Sequence, residues 1–166
     1  MTAQLLPSAF FQVAWVVRDI ATAERFFIDT IGIKKFFHFE NMRAPDVEGT
    51  YRGKPGDWVC HLYFAYAGDT QIELIQHVSG TSIFNEFLNQ HGDAVQHVGY
   101  CVDDADWDAA AHRLESAGYP LVQGLRTQLG RAGYFDIRRA LGVATEIVSV
   151  NEAGREFFRN LKTGNF

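Results

Sequence analysis

The two halves of this chain carry the same sequence pattern, displaced by about half of its length. The segment QVAWVVRD, which starts at Gln12, matches HVGYCVDD, which starts at His97. Each segment has the composition of a strand and leads into a helix-like run. Each half then closes on an apolar strand that contains one acid, Glu73 in QIELI and Glu146 in ATEIV. Repetition on this scale predicts two copies of one supersecondary unit packed together.

The predicted order of elements is a strand, a helix and three strands, given twice. β-Branched and aromatic enrichment between turn residues predicts strands near 10–17, 33–40, 58–66, 70–77, 95–102, 119–124, 131–137 and 143–150, and helices near 20–31 and 105–117. Asp19 and either Asp103 or Asp104 are the predicted N-caps of these helices, and Gly32 and Gly118 are the predicted C-caps. These elements predict an α+β protein.

The repeat also predicts the domain organisation. We expect a first βαβββ module over residues 1–80, a linking helix within 81–94, a second βαβββ module over 95–150 and a C-terminal helix within 151–166, all in one compact domain. Residues 41–57 contain three glycines and two prolines without a periodic pattern. A loop of this length in a compact domain is often a lid or a binding loop.

Composition and charge exclude several classes of protein. The chain has 166 residues, 47% of them hydrophobic, and a net charge of −5. Its 15 Lys and Arg residues are scattered, whereas nucleic-acid binding depends on clustered cations. No apolar run approaches the roughly 20 residues that a bilayer requires. Two cysteines, Cys60 and Cys101, are too few for a disulfide framework, so we expect a cytoplasmic protein that binds neither nucleic acid nor membrane.

The chain resembles the glyoxalase and bleomycin-resistance superfamily, also called vicinal oxygen chelate proteins, in QVAWVVRDIATAERFF, IELIQHVSGTSIFNEFLNQHGDAVQHVGYCVDD and GYFDIRRALGVATEIV. The resemblance covers roughly residues 10–150, and its central stretch is especially similar to methylmalonyl-CoA epimerases. It implies that the two modules form a cupped half-barrel of mixed sheet. It also implies a divalent metal ion in the cup and a small-molecule substrate, and we expect a homodimer.

Carried over residue by residue, the resemblance places metal ligands at Gln12, Glu73, His97 and Glu146. Each of these residues interrupts an otherwise apolar strand, and a buried carboxylate is costly unless it is paired or bound to a cation. Two acids, a histidine and an amide oxygen suit Zn²⁺, Co²⁺, Ni²⁺, Mn²⁺ or Mg²⁺. Because Gln12 replaces a second histidine, the oxygen-activating iron of the superfamily's dioxygenases is disfavoured.

The activity that the resemblance implies is that of a metal-dependent isomerase or epimerase. Such an enzyme removes a proton next to a metal-bound carbonyl group, in an acyl thioester or a ketone, and passes through an enolate. Glu146 is the first candidate for the catalytic base. Glu73, from the other module, is the candidate partner that returns a proton.

Four further residues are candidates for contact with the substrate. Arg131 and Tyr134 precede the closing strand of the second module and are expected to meet an acidic group. Epimerases of the superfamily also use an acid that follows the second strand, and Glu40 and Glu48 are the candidates for that role.

Two other functions remain open. The ligand set of Gln, Glu, His and Glu matches zinc-type glyoxalase I, a lactoylglutathione lyase, but Val16 stands where those enzymes carry the arginine that holds glutathione. The other is non-catalytic binding of a small aromatic or drug-like molecule, as in the bleomycin-sequestering members. Those members usually lack the metal residues, whereas this chain has four candidates.

Overall fold

Ten strands form one mixed sheet in the computed structural model, which describes residues 9–166. The strands are β1 (Ala9–Val16), β2 (Phe37–Arg43), β3 (Thr50–Tyr51), β4 (Lys54–Pro55), β5 (Val59–Ala67), β6 (Thr70–Ser79), β7 (Ala94–Val102), β8 (Leu121–Thr127), β9 (Gly130–Phe135) and β10 (Ala144–Val150). The α-helices are α1 (Ile20–Phe26), α2 (Ile83–His91), α3 (Trp107–Ser116), α4 (Arg138–Leu141) and α5 (Glu152–Thr163). No helix among these residues is long and apolar enough to cross a bilayer.

The strand order is β2-β5-β6-β1-β7-β10-β9-β8-β3-β4. Within each repeat the first and last strands are parallel neighbours, β1 with β6 and β7 with β10. The two repeats meet where β1 pairs antiparallel with β7. The predicted α+β fold of two βαβββ repeats in a curled half-barrel sheet is therefore confirmed, and both halves of the sheet come from one chain.

The first helix is shorter than the sequence predicts. Asp19 caps it as expected, since its carboxylate accepts a hydrogen bond from the backbone N–H of Thr22 over 2.9 Å. The α-helix stops at Phe26 and continues as a π-helical turn over Phe27–Ile31, which ends at Gly32 with a left-handed φ of 90°. The following strand begins at Phe37, because the preceding residues pack onto α1 rather than pairing with a strand.

The predicted cap of the third helix is wrong. A 3-10 turn at Asp104–Asp106 precedes α3, and the side chain of Asp103 makes no capping hydrogen bond. The carboxylate of Asp104 accepts instead from Ser149 Oγ over 2.8 Å, on a strand 45 residues further along the chain. This long-range contact competes with the local cap and displaces the helix start to Trp107.

Residues 44–57, which we call the strap, are more ordered than the predicted irregular loop. They form a 3-10 turn at Ala44–Val47 and the short hairpin of β3 and β4. Because β2 lies at one edge of the sheet and β3 pairs with β8 near the other, the strap crosses from one repeat to the other. The buried ring of Trp58 packs directly against Gly49 at its centre.

The linking helix fills one end of the cup. Ser82 caps α2 by accepting hydrogen bonds from the backbone N–H groups of Phe84 and Asn85, and Asn85 completes a capping box. Phe84 and Phe87 are buried in a cluster with the inner side of β1 and with Trp58. Apolar packing therefore closes this end of the cup.

Candidate metal centre

Three of the four predicted ligands meet inside the cup. Glu73 on β6, His97 on β7 and Glu146 on β10 offer donor atoms that all lie within 4.8 Å of one another. The Nε2 atom of His97 is 3.2 Å from Glu73 Oε2 and 3.5 Å from Glu146 Oε2. Two ligands bonded at about 2.0–2.2 Å to one tetrahedral ion lie about 3.4 Å apart, so these separations fit a shared cation.

Strand register explains why these side chains converge. Ala14 pairs with both Glu73 and His97, so those two residues flank a small side chain on the same row of the sheet. One row further along, Gly99 pairs with both Gln12 and Glu146. Neighbouring strands are about 4.8 Å apart, and on a concave face long side chains two strands apart can meet above the small residue between them.

The donor atoms of all four predicted ligands lack hydrogen-bond partners. Among the described residues, the buried side-chain atoms without a partner include Gln12 Oε1, Glu73 Oε2, His97 Nε2 and Glu146 Oε2. The short approaches of His97 Nε2 to the two carboxylates have ion-pair distances but not hydrogen-bond geometry. Buried polar atoms without partners are rare in native proteins and require an explanation such as an ion. The donor atoms of Glu73, His97 and Glu146, which lie within 4.8 Å of one another, form an N/O set suited to a divalent metal.

The amide of Gln12 is held in the orientation that a ligand needs. Its Nε2 group donates to Gln71 Oε1 over 2.8 Å, and Gln71 Nε2 donates to Tyr66 Oη over 3.3 Å. With the amino group engaged, the carbonyl oxygen of Gln12 is turned towards Gly99 and left free. A Cβ atom at position 99 would stand 2.6 Å from Gln12 Oε1, so the glycine makes room for this oxygen.

His97 is oriented in the same manner from the other side of its ring. Its Nδ1 atom lies 2.7 Å from the side-chain oxygen Oε1 of the buried Gln96. This oxygen can only accept a hydrogen bond. Nδ1 therefore carries the hydrogen and Nε2 is available to a metal. A second contact of this type fixes the tautomer of histidine ligands and commonly changes metal affinity by about 10–100-fold when it is removed.

The electrostatics of the group follow from its burial. Desolvation raises the pKa of Glu73, with a further contribution from the neighbouring Glu146. Burial opposes the charged form of His97, but attraction to the adjacent carboxylates of Glu146 and Glu73 outweighs it and raises the pKa of the imidazole. Burial together with these carboxylates also raises the pKa of Tyr134 well above its usual value. The phenol of Tyr134 therefore stays protonated and acts as a donor.

Three of the four predicted ligands form the floor of a cavity of about 380 Å³. Gln12, Glu73, Glu146 and Tyr134 line its polar end, and the rest of the wall is mostly aromatic and aliphatic. Two wall residues, Phe157 and Phe158, come from α5, which contacts β5 of the first repeat and β10 of the second. The volume lies near the lower end of ligand pockets, which span about 300–1,000 Å³.

The residues predicted to contact the substrate, Tyr134, Arg131 and Glu48, lie in different parts of the structure. Tyr134 lies at the floor of the cavity, with its ring 5.0 Å from that of His97. Arg131 lines the wall, but its guanidinium is bound to Asp104 and Asp108 and stacks on Trp107. The structure does not bring Glu48 to this group: it lies on the strap, has a side chain that is 77% exposed and does not line the cavity.

Two other predicted features lie outside the cavity lining. Glu40, the alternative to Glu48, accepts a hydrogen bond from Tyr63 Oη over 2.9 Å. Val16, at the position of the glutathione-binding arginine, is fully buried, and the nearby Arg18 points outward to pair with Asp93 over 2.8 Å. Val16 is apolar and Arg18 points outward, so neither of these two residues offers a cation to the cavity.

Sequence reasoning missed the residues that orient the ligands. Gln71 precedes Glu73 by two positions, so strand alternation puts both on the same face, and its counterpart in the second repeat is Ala144. A polar residue at a place where the repeat has alanine was the available signal. Gln96 directly precedes His97 but lies on the opposite face, so alternation gave no indication of its role.

Comparisons with known proteins agree with this architecture. The family whose model matches residues 11–135 is described as the Glyoxalase/Bleomycin resistance protein/Dioxygenase superfamily. The fold is similar to that of methylmalonyl-CoA epimerase from Mycobacterium tuberculosis, at 22% identity over 94% of this chain and 96% of that chain, with a TM-score of 0.62. No curated protein sequence matches the chain.

Two further solved structures share the fold. A variant of Streptomyces coelicolor methylmalonyl-CoA epimerase in complex with 2-nitronate-propionyl-CoA is 16% identical over 87% of this chain and 96% of that chain, with a TM-score of 0.61. A hypothetical protein from Bacillus halodurans C-125 is 16% identical over 89% and 97% of the two chains, with a TM-score of 0.63. At these identities the likeness is one of fold.

Proposed function

Since the chain belongs to the glyoxalase, bleomycin resistance protein and dioxygenase superfamily, we propose that it is a metal-dependent, epimerase-like isomerase that moves a proton at a carbon next to a carbonyl group. The observation that carries this proposal is the set of four buried donor atoms without partners, Gln12 Oε1, Glu73 Oε2, His97 Nε2 and Glu146 Oε2. The epimerases that share the fold are compatible with such an activity.

In this proposal Gln12, Glu73, His97 and Glu146 hold one divalent ion. The two carboxylates balance the charge of a dication, and the neutral ligands complete a mixed N/O set that Zn²⁺, Co²⁺, Ni²⁺, Mn²⁺ or Mg²⁺ accepts. When bound, such an ion acts as a Lewis acid that stabilises negative charge on a carbonyl oxygen. The buried, low-dielectric floor strengthens this effect because water does not compete for the charge.

The residues of the floor divide the handling of the proton between them. Glu146 acts as the base that removes the proton. Glu73, which belongs to the other module and lies on the other side of His97, returns a proton to the substrate. Tyr134 donates its phenolic hydrogen to developing negative charge and stays neutral itself. Two acids on different strands suit a reaction in which the proton leaves and returns at different places.

A second candidate function is supported by the cavity wall. Its aromatic and aliphatic lining also suits non-catalytic binding of a small aromatic or drug-like molecule. Glutathione-dependent glyoxalase activity has less support, since buried Val16 and outward-facing Arg18 leave the glutathione carboxylates without a cation at that place. The cytoplasmic location and the homodimer remain predictions.

Metal analysis and proton exchange test the proposal. The purified chain is treated with EDTA and titrated with Zn²⁺, Co²⁺ and Mn²⁺ by calorimetry. The loaded protein is then incubated in heavy water with 2-hydroxyacetophenone, with methylmalonyl-CoA, and with methylglyoxal plus glutathione. Glu146→Gln is the test variant, and Glu115→Gln, which changes an exposed acid on α3, is its matched control.

We expect one metal ion per chain and deuterium incorporation next to the carbonyl of at least one compound. Glu146→Gln should abolish this exchange, and Glu115→Gln should leave it unchanged. Failure to bind any of the three ions would refute the metal site. Full metal occupancy without exchange in any of the compounds would instead overturn the proposed proton transfer and favour the non-catalytic binder.

A further inference from the structure

The wall of the cavity limits which carbonyl compounds can reach the floor. Apart from the floor residues, the charged groups in the lining are Asp46 on the strap and Arg131 on β9. The positive charge of Arg131 is already matched by Asp104 and Asp108, at 3.4 and 2.8 Å. Among the residues that the structure describes, the lining therefore contains no free cation that could receive a phosphate or carboxylate of a substrate.

The apolar part of the wall is built from both repeats and from α5. Phe11 on β1 and Phe158 on α5 have ring centroids 6.1 Å apart, and Phe37 on β2 lies edge-on to Phe157 at 5.2 Å. Leu125 on β8 and Val148 on β10 line the cavity between these aromatic groups. Such a wall favours an aromatic or branched aliphatic group, because apolar surface removed from water contributes to binding in proportion to its area.

The volume of the cavity also favours a compact substrate. About 380 Å³ accommodates one compact ligand, since pockets for drug-sized ligands reach about 1,000 Å³. A CoA thioester would have to leave its nucleotide and phosphates outside, and glutathione would bring two carboxylates to a wall with no free cation. The compact apolar wall of this cavity therefore does not favour binding of the CoA or glutathione portion of such a substrate.

From these observations we propose that the substrate is a compact, unconjugated carbonyl compound with an aromatic or branched aliphatic body, held by the wall of Phe11, Phe37, Leu125, Val148, Phe157 and Phe158. This inference rests on the proposed function for the position of the carbonyl group at the metal end. It departs from the acyl-CoA compound bound by the Streptomyces epimerase variant. The body of the substrate, rather than a carrier group, then supplies its specificity.

Calorimetric binding of three compounds tests this proposal in both metal-free and Zn²⁺-loaded protein. The compounds are 2-hydroxyacetophenone, hydroxyacetone, which lacks the phenyl group, and propionyl-CoA. We expect 2-hydroxyacetophenone to bind at least tenfold more tightly than either of the others. In metal-free protein the preference for the phenyl compound over hydroxyacetone should persist, because the wall is intact without the ion.

Substitutions that fill the cavity complete the test. Val148→Phe should weaken binding of 2-hydroxyacetophenone at least tenfold, whereas Val78→Phe, at a position on β6 that is 45% exposed and outside the lining, should not change it. Leu125→Phe repeats the test from another strand if Val148→Phe does not fold. Propionyl-CoA binding as tightly as the phenyl compound, or binding that is unaffected by filling the cavity, would overturn the inference. Absence of metal binding or of proton exchange, with the phenyl preference intact, would overturn the proposed function alone.

Discussion

Gln12 donates a hydrogen bond to Gln71 over 2.8 Å, and this bond decides which end of the Gln12 amide faces the candidate metal centre. The two residues are register partners on the parallel strands β1 and β6, and both are buried. An amide can turn by half a rotation with little change in shape, so an acceptor for its amino group is needed to present its oxygen. Gln71 supplies that acceptor and is itself held by Tyr66.

Replacement of Gln71 should therefore weaken metal binding without removing a ligand. For Gln71→Leu we expect Zn²⁺ affinity to fall about 10–100-fold, the range found for contacts that orient ligands. Tyr66→Phe should have a smaller effect, since it acts through Gln71. Calorimetric titration measures the affinity, and the absorption spectrum of the Co²⁺ form reports whether the coordination has changed.

The matched control is Gln90→Leu on the exposed side of α2. It should leave both the affinity and the Co²⁺ spectrum as in the wild type. An unchanged Co²⁺ spectrum and unchanged affinity in Gln71→Leu would show that Gln12 does not need this partner.

Gly99 should be required for the same oxygen. In Gly99→Ala the new Cβ would stand 2.6 Å from Gln12 Oε1 and 2.9 Å from Gln12 Cβ, so the ligand must move. We expect Zn²⁺ affinity to fall at least tenfold and overpacking to cost about 1–3 kcal/mol in the free energy of unfolding. Gly124→Ala on β8 is the control, because its Cβ would approach no atom closer than 3.3 Å. Equal affinities in the two variants would contradict this role.

The ligands and their orienting residues differ in how far the sequence could predict them. Glu73, His97 and Glu146 were predicted because the family resemblance places ligands there, and because each interrupts an apolar strand at an equivalent place in a repeat. Strand alternation then fixes the face. Gly99 was visible only as a member of β7, since its importance comes from a side chain on the neighbouring strand. The sequence predicts the metal centre better than the residues that orient it.

The errors in the fold have a similar cause. β3 and β4 are two residues each, too short for any periodic pattern. β3 forms because β8 of the other repeat offers it an edge, and β4 pairs with β3. The cap at Asp104 failed because Ser149 competes for its carboxylate. In both cases a contact between segments distant in the sequence outweighed a local preference, and only the folded chain reveals such contacts.

The charges of the metal-free centre predict opposite effects for two substitutions. Even when fully protonated, His97 balances only one of the two buried carboxylates of Glu73 and Glu146. Glu73→Gln leaves a balanced pair, so in EDTA we expect it to be at least as stable as the wild type. His97→Gln leaves two buried carboxylates without a cation and should cost about 3–5 kcal/mol.

Urea unfolding in EDTA and in excess Zn²⁺ measures both effects. With Zn²⁺ present the order changes, because each variant has lost a ligand and the wild type gains the most from binding. Glu115→Gln serves as the exposed control and should follow the wild type in both conditions. A Glu73→Gln variant that is less stable than His97→Gln in EDTA would contradict this account of the charges.

The attachment of α5 to the cup should depend on apolar packing rather than on its ion pair. Lys162 lies 2.5 Å from Asp69, but the two side chains are 47% and 93% exposed, and solvent screens such pairs so that they add little to stability. Phe158 instead packs in a cluster with the buried Ala132, Val148 and Val150. Lys162→Ala should therefore leave the free energy of unfolding close to that of the wild type. Phe158→Ala should cost about 1–3 kcal/mol, less than the loss of a fully buried Phe, because the ring is only half buried.

Amide hydrogen exchange locates the effect: protection of α5 should fall in Phe158→Ala while that of β7 is retained. Faster exchange of α5 in Lys162→Ala than in Phe158→Ala would show that the ion pair holds the helix.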